Sequence, residues 1–193
     1  MKRNVALVVI DCQNDFVRPT GKLAVPGAEA IIPNIVKLVK HAQHLGIKIV
    51  FTQDWHPKTS EEFKVWPEHC VENTVGADII PEILGEVGAA QIIQKDWISA
   101  WKNPGTEQIF EGFDEIFVAG VATEYCVKEF VLGACSRGIE VSLISDATKG
   151  VDEIAGVPNT MGNVIGACVE MGMFGACTCK TVQLLEKNFY IGE

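Results

Sequence analysis

The sequence predicts an α/β fold: a three-layer α/β/α sandwich around a mostly parallel sheet of five or six strands. Three observations predict it. Short Val- and Ile-rich runs recur along the chain, helix-like segments lie between them, and the runs lack the polar alternate face of a half-exposed sheet. Strands that alternate with helices connect by right-handed crossovers, which cover both faces of a parallel sheet.

The elements follow in order. Val5–Ile10 reads as a buried first strand ended by Asp11. Ala30–Leu45 is helical, with Ile31, Ile35, Leu38 and Ala42 on one face. Ile47–Thr52, Gln91–Gln94, Ile116–Ala119 and Val141–Ile144 supply further strands, and Thr181–Leu185 is the candidate for a sixth. Thr123–Arg137 is the second clear helix, with Val127, Val131 and Leu132 on one side. The apolar segment around Met171, Met173 and Phe174 reads as core, with a subunit interface in a homo-oligomer as the alternative.

At 193 residues and 48% hydrophobic content, the chain can bury one substantial core, so we expect a single domain over 1–193. Lys2 and Arg3 precede an apolar run, but Asp11 interrupts it too early for a secretory signal. No stretch reaches the length of a membrane span, and a cytoplasmic location is the default expectation. Seven cysteines, an odd number, argue against a disulfide framework. A net charge of −9 disfavours nucleic acid and anionic lipid, leaving a small molecule as the expected partner. Neither a GxGxxG nor a P-loop pattern follows any strand.

Ligands of such folds sit beyond the carboxyl ends of the strands. Asp11, Asp54 with His56, Lys95, and the segment leading to Cys126 all fall there. In Gly120-Val121-Ala122-Thr123-Glu124-Tyr125-Cys126 a strand gives way to a helix, which places the thiol in the first helical turn. The dipole and free amides of that turn favour a thiolate, and the same amides can hold an oxyanion. Asp11 can serve as the base that takes the thiol proton, and Lys95 can hold both charges in place. Asp15 reads as a loop cap, and Cys12, Cys135 and Cys168 as packing residues. Asp54, His56 and His69 offer oxygen and nitrogen donors suited to Zn²⁺, with Mn²⁺ or Fe²⁺ as alternatives; Glu61 or Glu62 is a candidate fourth ligand. His41 and His44 lie on a helix and read as surface residues, and Cys177 with Cys179 reads as structural.

Together these blocks resemble the isochorismatase-like cysteine hydrolases, and within them the nicotinamidases, over essentially the whole chain. The matching pieces are residues 9–16 (Val-Ile-Asp-Cys-Gln-Asn-Asp-Phe), Asp54-Trp55-His56-Pro57, Trp66-Pro67-Glu68-His69-Cys70-Val71, Lys95 with Ser99-Ala100, and Gly120 to Cys126. The resemblance implies a catalytic triad of Asp11, Lys95 and Cys126, and a divalent metal on Asp54, His56 and His69. It further implies a cis bond between Val121 and Ala122 and an oxyanion hole at the amides of Ala122 and Cys126. Phe16 and Trp66 would line a slot for a flat ring. The implied activity is deamidation of nicotinamide to nicotinate and ammonia in NAD salvage, or hydrolysis of another small amide or carbamoyl compound. Many nicotinamidases have a further histidine where this chain has Lys58 to Phe63, and several have a longer, Tyr-containing loop where it has Trp97 and Trp101.

Overall fold

The computed structural model describes residues 3–88, 90–151 and 163–186. Among the described residues six strands form one sheet: β1 (Val5–Ile10), β2 (Lys48–Asp54), β3 (Gln91–Lys95), β4 (Glu115–Val121), β5 (Glu140–Lys149) and β6 (Cys177–Cys179). Their order is β3-β2-β1-β4-β5-β6, and every pairing is parallel. The helices are α1 (Asn14–Val17), α2 (Ile32–His44), α3 (Pro81–Leu84), α4 (Thr106–Phe110), α5 (Lys128–Cys135), α6 (Val164–Met173) and α7 (Thr181–Leu185).

The apolar runs are continuous because successive side chains of a strand enter different cores. Val5, Leu7 and Val9 of β1 join α2, where Ile35, Leu38, Val39 and Ala42 are buried. Val8 and Ile10 join the opposite layer with Val127, Phe130, Val131 and Ala134 of the α5 region. A strand buried on both sides has no room for a polar alternate face.

Topology places the site. The chain runs outward through β1, β2 and β3, then crosses back to lay β4 on the other side of β1. That reversal opens a crevice at the carboxyl ends of β1 and β4. The two strands are in close register, with Ile10 opposite Gly120. Gly120 has φ +117°, and a Cβ there would lie 2.1 Å from the Ile10 carbonyl oxygen. Only glycine lets these two strand ends lie so near each other.

Several sequence expectations change. Thr181–Leu185 is a helix, not a strand. Thr181 donates from its amide and hydroxyl to Asp146 Oδ1 at 2.8 and 2.9 Å, and Gln183 Oε1 accepts from the Lys180 amide, which starts a turn there. Thr181 and Leu184, three apart, are the buried pair, whereas Val182 is exposed. The sixth strand is instead the short Cys177–Cys179, paired with Ser142 to Ile144. At the other edge, β3 buries only Ile93 and Lys95, so it is not covered on both faces. The segment 30–45 begins as a tight 3-10 turn over Ala28–Ile31, with Pro33 early in α2. The segment 123–137 opens as a π-type turn, Thr123–Val127, before α5. Met171 lies in the core, while Met173 and Phe174 are exposed. His41 is half-buried rather than a surface residue; His44 is exposed. Among the described residues, no helix is long and apolar enough to cross a membrane.

Candidate active site

Six side chains, Asp11, Asp54, His56, Lys95 and Cys126 from the ends of four strands and His69 from a loop, converge in the crevice. Asp11 follows β1 with φ +46°, a left-handed conformation that costs a residue with a side chain roughly 1–2 kcal/mol. Thr52 of β2 braces it from both sides. Its Oγ1 donates to Asp11 Oδ1 at 2.5 Å and accepts from the Asp11 amide at 3.1 Å. Lys95 ends β3, two strands away, and its stem crosses the end of β2 to reach the crevice. There Nζ pairs with Asp54, stands 2.9 Å from Asp11 Oδ2, and donates to Cys126 Sγ at 3.5 Å. Lys95 is 2% exposed, so this ammonium is neutralised by protein groups and not by water.

Two carboxylates therefore share one ammonium. Burial works against the charge of both. Lys95, His56 and His69 overcome it at Asp54 and hold that carboxyl well below its ordinary range. Asp11 gains less: burial, reinforced by repulsion from Asp54, raises it above 3.8 despite Lys95 and the Thr52 hydrogen bond. Asp11 is thus the group with a raised affinity for a proton. Lys95 itself is pushed up, because its two anionic neighbours outweigh burial.

Cys126 corrects one expectation. Burial raises its thiol well above the ordinary value, the Asp11 and Asp54 charges add to that, and only Lys95 opposes them. A resting thiolate is not favoured. The physical reason is that the turn bearing it is irregular, with Tyr125 at φ −115° and ψ −108°, and buried, so desolvation outweighs any dipole. Cys126 Sγ and one oxygen each from Asp11 and Asp54 lie within 4.8 Å of one another, which gathers the thiol and a candidate base at one place. The Val121–Ala122 bond is cis, and Ala122 and Cys126 line the same cleft.

The second cluster adjoins the first through Asp54. Gln13, fully buried, clamps the end of β2 by accepting from the Asp54 amide at 2.8 Å and donating to its carbonyl at 2.7 Å. A short parallel pairing between His56 and Val71 carries His69 to the same place, and the two imidazole centroids lie 4.8 Å apart. His56 Nε2 and His69 Nε2 stand 3.5 and 3.8 Å from Asp54 Oδ2. Donor atoms of Asp54, His56 and His69 all lie within 4.8 Å of one another. His56 Nε2 is buried and has no hydrogen-bond partner among the described residues. Burial lowers the proton affinity of His56, but Asp54 and Asp96 raise it more, so the pocket seeks positive charge. A buried orphan nitrogen, a second imidazole and an ionised carboxylate fit a divalent cation.

Of the two candidate fourth ligands, Glu61 pairs with Lys64 on the surface. Glu62 faces the cleft, where burial and the Asp54 charge raise its carboxyl, but it lies outside the tight donor cluster. Asp15 caps as expected, accepting from the amides of Cys70 at 2.8 Å and Lys22 at 3.2 Å.

Phe16 and Trp66 form walls of the cleft, joined by Leu23, Val25, Ile98 and Tyr125. Trp66 meets the Tyr125 ring edge-on at 5.1 Å. Trp97 and Trp101 do not take part: Trp101 stacks on Phe130 and donates to its carbonyl at 2.8 Å, and Trp97 lies under Lys102. Sequence reasoning missed Tyr125, Ile98, Leu23 and Val25. Tyr125 adjoins Cys126 and was open to detection; Leu23 and Val25 lie in a loop that carries no periodic signal.

Residues 5–163 match the isochorismatase domain family. The chain belongs to the isochorismatase family. Among relatives of this isochorismatase-family chain, a nicotinamidase from Escherichia coli is 32% identical over 180 residues, which cover 76% of this chain and 84% of that protein. The pyrazinamidase of Pyrococcus horikoshii, solved in complex with zinc, superposes with a TM-score of 0.79 at 33% identity, covering 92% of this chain and 99% of that one. An isochorismatase-like hydrolase from Alkaliphilus metalliredigens superposes with a TM-score of 0.83 at 28% identity, covering 95% and 98%.

Proposed function

We propose that this chain is a cysteine amidase that converts nicotinamide to nicotinate and ammonia, with Asp11, Lys95 and Cys126 as the reacting triad. One observation carries the reading: a single buried ammonium stands 2.9 Å from a carboxylate and 3.5 Å from a sulfur at the wall of an apolar cleft. The names of the relatives, nicotinamidase and pyrazinamidase, support the choice of amide. Phe16, Trp66 and Tyr125 offer aromatic surface for a flat ring, and the carboxamide then faces Cys126.

In the first half-reaction Asp11 takes the Cys126 proton as sulfur bonds to the amide carbon. The amides of Ala122 and Cys126 hold the developing oxyanion. Asp11 returns the proton to the departing nitrogen, the C–N bond breaks, and ammonia leaves a thioester. In the second half Asp11 takes a proton from water, whose oxygen attacks the thioester carbon. The C–S bond breaks, and the proton passes back to sulfur. Lys95, beside both groups, stabilises the negative charge wherever it resides, on the Asp11 carboxylate before proton transfer and on the sulfur as it forms or leaves. Asp54, His56 and His69 would hold a divalent cation, zinc in this reading, which when bound would supply Lewis-acid chemistry for orienting the substrate.

The test is ammonia release by zinc-loaded protein from nicotinamide, benzamide and a carbamoyl amine. Nicotinamide should turn over best, and Cys126→Ala should reduce kcat by at least about 10³-fold. Turnover confined to the carbamoyl compound would favour the second reading, a related amidase of different specificity. No release from any of the three would remove both.

A further inference from the structure

We propose that Asp96, steadied by Ser60, is a positioning residue for the metal: it fixes His56 in the tautomer that presents Nε2 to the cation. This rests on the reading that Asp54, His56 and His69 hold a divalent metal. Asp96 Oδ1 lies 2.5 Å from His56 Nδ1. The same oxygen accepts from the Ser60 hydroxyl at 2.6 Å, and Ser60 Oγ accepts in turn from the Glu62 amide at 3.2 Å. A carboxylate offers no proton, so the imidazole must carry its hydrogen on Nδ1. The lone pair then sits on Nε2, the nitrogen that is buried with no hydrogen-bond partner among the described residues and that stands 3.5 Å from Asp54 Oδ2.

The two imidazoles are oriented by different chemistry. His69 Nδ1 lies 2.7 Å from the Pro67 carbonyl oxygen, a neutral acceptor from its own loop. His56 has an anionic acceptor from the end of β3, forty residues along the chain. A carboxylate behind a ligating imidazole both locks its rotation and makes it a stronger donor. Lys95 and Asp96 are neighbours in sequence, so one strand end aims a cation at the nucleophile and an anion at the metal ligand. This extends the site beyond its three donor residues without adding a fourth ligand. The Asp96 side chain is 35% exposed, so exchanging it leaves no cavity in the core.

Zinc affinity, measured by competition with a chromophoric chelator, tests the inference on the full chain, with the visible spectrum of the Co²⁺-loaded protein as a second readout. The parent should bind one zinc per chain, and His69→Ala should lose it. Asp96→Ala should weaken binding about 100-fold; Asp96→Asn, which keeps an acceptor but no charge, about tenfold. Both should alter the Co²⁺ bands while the metal-free proteins melt with the parent. If Asp96→Ala melts early when metal-free, Asp96→Asn decides. Affinity within twofold of the parent and an unchanged Co²⁺ spectrum in the well-folded variant would overturn the role of Asp96. Failure of the parent itself to bind zinc would overturn the metal reading beneath it.

Discussion

Replacing Lys95 by Met tests the charge arrangement most directly, because the ammonium is the shared neighbour of Asp11, Asp54 and Cys126. At 2.9 Å from Asp11 Oδ2 and an effective dielectric near 20, the attraction of that one pair is about 6 kcal/mol. Desolvation of the partners offsets part of it, and breaking a buried pair by removing one member costs about 3–5 kcal/mol. In a chain of 193 residues each kcal/mol moves Tm by about 2–4 °C, so Lys95→Met should lower the melting point of the metal-free protein by about 6–20 °C. Much of that loss comes from carboxylates left unpaired. Adding Asp11→Asn to Lys95→Met should therefore restore about 1–3 kcal/mol by urea denaturation, although it removes the proposed base. A loss below about 1 kcal/mol in the single variant, or no recovery in the double, would refute the shared-ammonium account.

Two other outcomes follow from the same geometry. Asp11 must be ionised to take the thiol proton, and burial raises its carboxyl above 3.8, so the working form disappears as pH falls while the pH is still above that value. The acid limb of kcat/KM should have its midpoint above 3.8, and activity that holds at pH 3.8 in a folded protein would contradict the assignment. Gly120→Ala should cost about 3 kcal/mol or more in urea denaturation, because its Cβ would meet the Ile10 carbonyl oxygen at 2.1 Å on a backbone of φ +117°. A change within about 0.5 kcal/mol, the size of an ordinary surface substitution, would show that β1 and β4 can separate at no cost.

Much of this protein is determined locally and can be read as such. Val5–Ile10 and Glu115–Val121 are apolar throughout because both faces of a central strand are covered, and that pattern survives in one dimension. Asp11, Asp54, Lys95 and Cys126 are recognisable because strand ends are where such folds keep their ligands. Edge elements were harder. Thr181–Leu185 has the composition of a strand, and its helix is set by Asp146, which lies 35 residues earlier and supplies the bonds that hold its first residue.

Electrostatics required the tertiary structure, since burial and the distances between charges do not exist in a linear chain. The position of Cys126 at the start of a helix suggested a thiolate, whereas its desolvated surroundings favour the neutral thiol. The division of labour between Asp11 and Asp54 likewise depends on which carboxylate has imidazoles beside it. Asp96 stands next to Lys95 in the sequence, yet only the fold, by returning the loop after β2 against the end of β3, turns it toward His56. Residue types and spacing thus selected the fold and the reactive groups. Three-dimensional proximity, through the steep dependence of charge interactions on distance and solvent, decided the protonation state each group is held in.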